Sequence, residues 1–422
     1  MTVTFPTLGM GTAPIGNLYR AVEESEAQAT LAAAWDAGIR YYDTAPHYGF
    51  GLAERRLGAM LAARDGASEA IVSTKVGRLL VPTDARGERH GFVDADPFEP
   101  LFDYGHDAIL RSFEGSRARL GRERIDLLLA HDIGRATHGE DHDRHLRAFL
   151  DGGYRAMRDL RDAGAIGAIG IGVNEVAICD ELLDHVDLDM ILLAGRHTLL
   201  DRSAERLLAR CAERGVLVIV GGPYNSGILA RDLEGALHFD YAAPSAEMMS
   251  KARRLFHACN PYDVPLPAAA LQFPLRHPAV VSVIPGLVGA DQVADTMARL
   301  AVALPDALWP ALDAALKENA MLQDDARLIL LHPDDNVMIC VRPIEAGDIL
   351  PASGGTIPAR EGIAIGHKVA RVGLHAGDKV IKYGAPIGSM TADVATGDWV
   401  HMHNMKSDYI SSHTRTALEP GA

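Results

Sequence analysis

Four apolar runs in this chain end in residues able to do chemistry. Asp43 closes the run that starts at Ile39, Lys75 the run from Ala70, His131 the run from Ile125 and Asn174 the run from Ala168. Tyr48 follows Asp43 by five residues, inside the loop TAPHYG at 44–49. An apolar strand has no packing reason to end in Asp, Lys and His in turn. Charges buried at strand ends are costly unless paired, so Asp43 and Lys75 form a natural ion pair. A free phenol has a pKa near ~10 and is a poor base at neutral pH. A neighbouring ammonium favours the phenolate. Lowering the Tyr48 pKa by ~2–3 units takes roughly 3–4 kcal/mol of differential interaction, which a desolvated Lys75 within hydrogen-bond reach can supply. Asp43 then holds Lys75, and a neutral His131 orients the reacting oxygen. Proton movement at Tyr48 pairs with hydride movement at the same carbon. Side chains carry no hydride, so this chemistry asks for a nicotinamide cofactor. Taken singly, Asp43 reads as a helix N-cap, Lys75 as its structural partner and His131 as a satisfied core histidine. Together, each at a strand end, they read as a site.

The elements that must position these residues alternate along the chain. The runs Leu8–Ala13, Ile39–Asp43, Ala70–Lys75, Ile125–His131, Ala168–Asn174, Met190–Arg196, Val216–Gly222 and Val280–Pro285 read as eight strands. Helical patterns such as 23–37 (EESEAQATLAAAWDA) and 107–120 (DAILRSFEGSRARL) separate them. Apolar strands alternating with helices imply a parallel sheet covered on both faces. Eight such units predict a (β/α)₈ TIM barrel, an α/β fold whose strand ends share one pocket. A doubly wound open sheet is the other possibility, but no GxGxxG follows the first strand.

The pattern changes near Glu318. The tract 319–330 reads as a linker, and 331–412 as a small all-β domain with a tail at 413–422. Its strand-like runs are Val337–Arg342, Gly347–Leu350, Ala364–Val369, Lys379–Tyr383 and Trp399–His403. Gly-Asp recurs at Gly347, Gly377 and Gly397, without a sequence repeat of fixed period.

Composition excludes several classes. The 422 residues carry 41 Lys and Arg against 56 Asp and Glu, a net charge of −15. A body this acidic repels phosphate backbones, so nucleic-acid binding is not expected. With 48% hydrophobic residues a real core is available, yet no apolar run approaches the ~20 residues of a membrane span. The N-terminal MTVTFPTLGMG has no secretory pattern, and Cys179, Cys211, Cys259 and Cys340 are scattered. The expectation is a cytoplasmic protein with reduced thiols. The loop HGEDHDRH at 138–145 lacks regular ligand spacing. It reads as an exposed polar loop or part of a substrate lid, and no metal site is expected.

The same residues carry a resemblance. GIRYYDTAPHYGFGLAERRLG at 38–58, STKVGR around Lys75 and GRERIDLLLAHD at 121–132 resemble the aldo-keto reductase signatures, over about residues 5–318. LFDYGHDAILRSFEGSRAR at 101–119, the His131-Asp132…His138-Gly139 pattern and LLAGRHTLLD from Leu192 resemble the D-threo-aldose 1-dehydrogenase (L-fucose dehydrogenase) group of that family. The resemblance implies a catalytic Tyr48 supported by Asp43, Lys75 and His131, with His47, Tyr48 and His131 touching substrate. It implies oxidation of a sugar's anomeric carbon to a lactone, Tyr48 acting as base. It implies a cofactor site built from Gly11, Thr12, Asp43, Asn174, Gly222, Pro223, Ile284, Gly286, Gln292 and Thr296. The chain departs from the common family pattern where Val173 precedes Asn174, at Ala194, and at Gly221, where an aromatic residue often stacks on the nicotinamide. The segment IPGLVGADQVADTM at 284–297 holds the adenosine phosphates in the family, and a 2′-phosphate there needs Lys or Arg. It contains neither, so NAD is expected over NADP.

Residues 331–410 resemble the SAF (β-clip) domain of altronate-type sugar-acid dehydratases, through LHPDDNVMIC, IGHKVA, GDKVIKYGAPIG and GDWVHMHN. That resemblance implies a partner, the large hydro-lyase chain of that family. His401 and His403 are spaced to share one face of a strand. With His332, His367, Lys368 and Lys382 they either bind a carboxylate or decorate a solvated strand. The fusion joins oxidation of a sugar to dehydration of its acid. A carbonyl or pyridoxal-type oxidoreductase of the same family remains open. So does a cofactor-sensing module whose working part is the SAF domain. A homo-oligomer is compatible with all of these.

Overall fold

The structure is a computed structural model that describes residues 5–230, 244–317, 322, 325–352 and 355–408. Residues 319–321, 323 and 324 of the expected linker and the tail at 413–422 lie outside the described residues, whereas 328–329, expected as linker, form a strand. Two compact units emerge, Met1–Asp232 with Pro265–Ala303, and Leu233–Val264 with Leu304–Ala422.

The first unit is the expected barrel. Its strands are β1 (Met10–Gly11), β2 (Tyr41–Asp43), β3 (Ile71–Val76), β6 (Ile125–His131), β7 (Ile166–Val173), β8 (Met190–Ala194), β9 (Leu217–Gly221) and β10 (Val280–Ile284). They pair in parallel in the order β1-β2-β3-β6-β7-β8-β9-β10. Parallel bridges from Leu8 to Val283 and from Gly11 to Gly286 join the last strand to the first. Alternate residues turn inward and fill the barrel, with Tyr41, Leu127, Leu129, Met190, Leu192, Ile219 and Ile284 in one buried cluster. Helix α1 (Glu24–Asp36) carries Glu24 and Glu26 in its first turn, where carboxylates suit the helix dipole. Helix α2 (Leu52–Ala62) follows the Tyr48 loop, and α3 (His106–Leu120) ends on Gly121 at φ 64°.

One feature is absent from the sequence reading. After β3 the chain makes an antiparallel hairpin, β4 (Arg78–Pro82) with β5 (Phe98–Phe102), before entering α3. Arg78 pairs with Phe102 at its base. The run RLLVP is short and abuts the Lys75 strand, so it merges with that strand in any periodicity count.

In the second unit, helices Ala246–Cys259 and Leu308–Lys317 are tied by Arg254, whose Nε donates to the Ala315 carbonyl at 2.7 Å. The rest is antiparallel β structure. One sheet orders β11 (Leu328–Ile329), β12 (Val337–Cys340), β15 (Lys368–Ala370) and β18 (Trp399–Val400). A hairpin pairs β13 (Ile349–Ala352) with β14 (Gly355–Pro358). A third sheet joins β16 (Lys379–Lys382), β17 (Ala385–Met390) and β19 (Met405–Lys406). The three Gly-Asp pairs build one turn three times. Gly347, Gly377 and Gly397 take φ of 91°, 96° and 87°, which only glycine adopts at little cost. The following Asp348, Asp378 and Asp398 each accept a backbone N–H three residues back, at 2.9, 2.9 and 2.8 Å. The expected strand Trp399–His403 is shorter than its pattern. It stops at Val400, because the His401 N–H donates to Asn404 Oδ1 at 2.8 Å and the Met405 N–H to the His401 carbonyl, closing a turn.

Candidate active site

The strand ends bring Asp43, Tyr48, Lys75 and His131 together. Lys75 Nζ donates to Asp43 Oδ2 at 2.7 Å, to the Thr44 carbonyl at 2.9 Å and to the Tyr48 hydroxyl at 3.0 Å. All three ammonium protons therefore have acceptors, which a lysine only 2% exposed requires. Asp43 is held from its other side by Ser73 Oγ at 2.6 Å, and Ser73 bonds in turn to the Tyr41 hydroxyl at 3.0 Å. Thr12 Oγ1 donates to the Asp43 carbonyl at 2.9 Å. Register fixes this arrangement, since Gly11 lies opposite Asp43 and Asp43 opposite Ser73. Two glycines make room for it. A Cβ on Gly172 would lie 3.0 Å from Lys75 Cε, and one on Gly16 would lie 2.8 Å from the Tyr48 carbonyl carbon.

Electrostatics corrects one expectation. Burial pushes the Tyr48 hydroxyl up to about 12, and the Lys75 ammonium pulls against this without overcoming it. In the protein alone Tyr48 is a proton donor held ready, rather than a standing phenolate. Burial works against the Lys75 charge, but Asp43 and Tyr48 together outweigh it and hold the ammonium above its usual range. His131 is held neutral, well below its usual range, first by burial and then by Arg78 and Lys75. Its ring meets that of Tyr48 edge to face, with centroids 6.0 Å apart, and its Nδ1 is buried without a partner.

Arg78, Asp132, Tyr104 and His138, to which the sequence assigned no role at the site, complete the wall together with the expected His47. Arg78 pairs with Asp132 through a close ion pair, and both sit beside His131, whose Nε2 is 3.5 Å from Asp132 Oδ2. Asp132 has φ 42°, a left-handed conformation rare for a residue other than Gly and common at functional sites. Tyr104 donates to the His131 carbonyl at 2.6 Å and meets His138 Nε2 at 3.0 Å. His47, pushed down to about 2 by burial, packs within 5.9 Å of His131 and 5.3 Å of Phe92. The histidine loop contributes His138, whose ring lies tilted 4.2 Å from that of His145 and edge-on 4.8 Å from that of Phe102. Part of that loop thus packs on the β4–β5 hairpin instead of standing free. Among the described residues no three His, Cys, Asp or Glu side chains are placed to hold a metal ion. The available signals were Arg78 three residues after Lys75 in STKVGR, and Asp132 directly after His131.

The expected cofactor residues gather in part. Gly11, Thr12, Asp43 and Gly286 meet where β1 bridges the loop after β10. Asn174 follows β7 directly and is half-buried, and its carbonyl accepts from Arg196 Nε at 2.8 Å. Gly222, at φ 58°, and Pro223 follow β9. Gln292 Oε1 accepts from the Val288 N–H at 3.2 Å, bracing the loop at the N-terminus of the helix Ala290–Ala301. The Gly289 N–H is held by Thr30 Oγ1 at 2.8 Å. Ile284 and Thr296 point into packing instead, at 4% and 1% exposure.

These residues fit a nicotinamide dinucleotide. Asn225 Oδ1, in the loop after β9, is a buried acceptor without a partner. The nearest atoms to a Cβ on Gly221 would be those of Ala194 and Leu192, at 3.4–3.6 Å, so the backbone at the end of β9 carries no side chain where the resembled family often has an aromatic residue. The helix N-terminus at Ala290 suits phosphate.

A closed parallel barrel with an enclosed Tyr-Lys-Asp set and a neutral histidine at its strand ends defines a barrel oxidoreductase working with a nicotinamide cofactor. The comparisons with known proteins give the family. Residues 7–317 match the aldo/keto reductase family, and the chain belongs to it. Residues 326–408 match the altronate/galactarate dehydratase SAF domain. The chain is 44% identical to a pyridoxal 4-dehydrogenase from Microbacterium luteolum, over 74% of this chain and 94% of that protein. It is 39% identical to a D-threo-aldose 1-dehydrogenase from Pseudomonas sp, over 74% and 94% respectively. Over 19% of its length it is 38% identical to an altronate dehydratase from Bacillus subtilis (strain 168), of which it covers 16%.

Proposed function

We propose that the barrel oxidises the anomeric carbon of an aldose of the L-fucose or D-threo type to its lactone, using NAD. The observation that carries this is the Tyr48 hydroxyl, 3.0 Å from Lys75 Nζ and beside a neutral His131. A bound nicotinamide would supply the hydride acceptor, and its positive charge would favour the Tyr48 phenolate. Tyr48 takes the proton of the C1 hydroxyl as the C1–O bond becomes double. Lys75 stabilises the phenolate during that transfer, and Asp43 fixes Lys75. His131 donates a hydrogen bond to the substrate oxygen and sets its approach. Gly11, Thr12, Asn174, Gly222, Pro223, Gly286 and Gln292 hold the cofactor, and His47 lines the substrate side.

NAD is supported by the helix Ala290–Ala301, whose first turn carries Asp291 and no basic residue. A 2′-phosphate would face this carboxylate without a charge-assisted partner. NADH formation across a panel of free sugars, run against NADP, tests both statements. No turnover with any sugar, or a higher kcat/KM with NADP, overturns them.

Oxidation of pyridoxal is a second reading, favoured by the relative of 44% identity. Free pyridoxal closes on its own hydroxymethyl group as a cyclic hemiacetal, so both readings ask the same proton and hydride transfer of this site. Including pyridoxal in the panel separates them. The SAF domain ties this oxidation to dehydration of the sugar acid, through a separate large hydro-lyase chain. In support, the altronate dehydratase relative is covered only to 16% and so has much that this chain lacks. Co-purification of such a chain tests that partnership.

A further inference from the structure

The β domain carries a cationic and aromatic face that barrel chemistry does not use. The rings of Trp399 and His401 stack 5.1 Å apart at 11°. His367 meets His401 edge-on at 5.2 Å, and His403 lies 5.1 Å from Trp399. His401 and His403 thus reach the same ring from a turn, not from one strand face. Lys368 follows His367 on β15, opposite Val400, the residue before His401. It is half-buried, and burial together with the charge of Lys382 holds its pKa down. His332 stands against Gly384 and 3.6 Å from Asp334, with no ring contact to the others among the described residues.

Two observations speak against a merely solvated strand. Among the described residues no carboxylate pairs with Lys368, Lys382, His367, His401 or His403, although the chain carries −15 overall. Lys379, on the same strand as Lys382, does have such a partner, Asp408 at 2.8 Å, besides the Ser389 hydroxyl at 3.0 Å. In addition, Trp399 Nε1 is buried without a hydrogen-bond partner. A half-buried lysine that feels the charge of a second lysine, and an unmet N–H donor on the paired strand, are costly for the protein alone and are relieved by an anion.

We propose that His367, Lys368, Lys382, Trp399, His401 and His403 form a binding site for a small polyhydroxy carboxylate, the open-chain acid that a sugar lactone yields on hydrolysis. The lysines and imidazoles take the carboxylate, Trp399 Nε1 donates to an oxygen of the ligand, and the rings offer flat surface to its C–H groups. The ligand class rests on the aldose reading above, whereas the site rests on the β domain's own geometry.

Isothermal titration of the full chain with D-galactonate tests this, with neutral galactitol and with acetate as controls. The expected result is galactonate binding that weakens by about tenfold or more in Lys368→Met and in His401→Gln, with little response to either control. The circular dichroism spectrum and thermal melt of the full chain stay unchanged in both variants, which shows that the β domain remains folded. Absent galactonate binding, equal affinity in the variants, or acetate binding as tightly as galactonate overturns the proposal. Failure of the aldose reading appears differently, as absent NADH formation with every sugar while the titration result stands.

Discussion

Gly172 on β7 opens the gap through which the Lys75 side chain passes, for a Cβ there would lie 3.0 Å from Lys75 Cε. Lys75 has no slack, since its three bonds to Asp43, Thr44 and Tyr48 fix where Nζ sits. Gly172→Ala therefore displaces the ammonium by a few tenths of an ångström without opening the core. A misplacement of this kind is expected to lower kcat by about tenfold or more. Steady-state kinetics beside a thermal melt checks it, the melt changing far less than the rate.

Removing the ammonium has a double effect. Lys75→Met leaves the Asp43 carboxylate, 3% exposed, buried beside Ser73 without its ion-pair partner. The expected cost is roughly 3–5 kcal/mol of stability, together with loss of the pull that favours the Tyr48 phenolate. Chemical denaturation measures the first and NADH formation the second.

The Arg78–Asp132 pair forms a polar wall beside His131, and Arg78 Nε is buried without a partner. On the aldose reading, a sugar hydroxyl would meet that wall, whereas a simple aldehyde would leave it unmet. Arg78→Leu is expected to raise KM for a sugar by about tenfold while changing little for a small aliphatic aldehyde. Kinetics with the two substrate types separates this from general damage, which would affect both.

The two directions of reaction differ in pH dependence. Burial holds the Tyr48 hydroxyl near about 12, so below that pH the group is protonated in the free protein. Oxidation needs the base form and is expected to accelerate as pH rises across the neutral and mildly alkaline range. Reduction needs the acid form and is expected to show no loss there from Tyr48. His131, held far below its usual range, adds no step near neutrality. Rates in both directions from pH 6 to 10 check this, and a shared optimum near 7 contradicts it.

What the sequence made legible is the part set by local patterning. The run from Ile125 to His131 is observed with the same ends, and the other barrel strands shift by a residue or a few at their ends. Asp43, Lys75 and His131 were readable because charge at the end of an apolar run has no packing explanation. Arg78 and Asp132 were not, because their pairing depends on a hairpin that brings the start of β4 to the end of β6. The sign of the Tyr48 shift was also out of reach, since it is decided by how deeply the hydroxyl sits rather than by the presence of Lys75. In the β domain, the pattern Trp399–His403 has the period of a strand. The bonds from the His401 N–H to Asn404 and from the Met405 N–H to the His401 carbonyl show that a turn has replaced it.

Tyr48→Phe is the most direct test of the proton-transfer account, since it removes one oxygen and leaves Lys75 with Asp43 and Thr44. With an accepted sugar and saturating NAD, the account predicts a fall in kcat of about 10²–10⁴ with cofactor binding retained. A variant that forms NADH within a few-fold of the wild-type rate would contradict it.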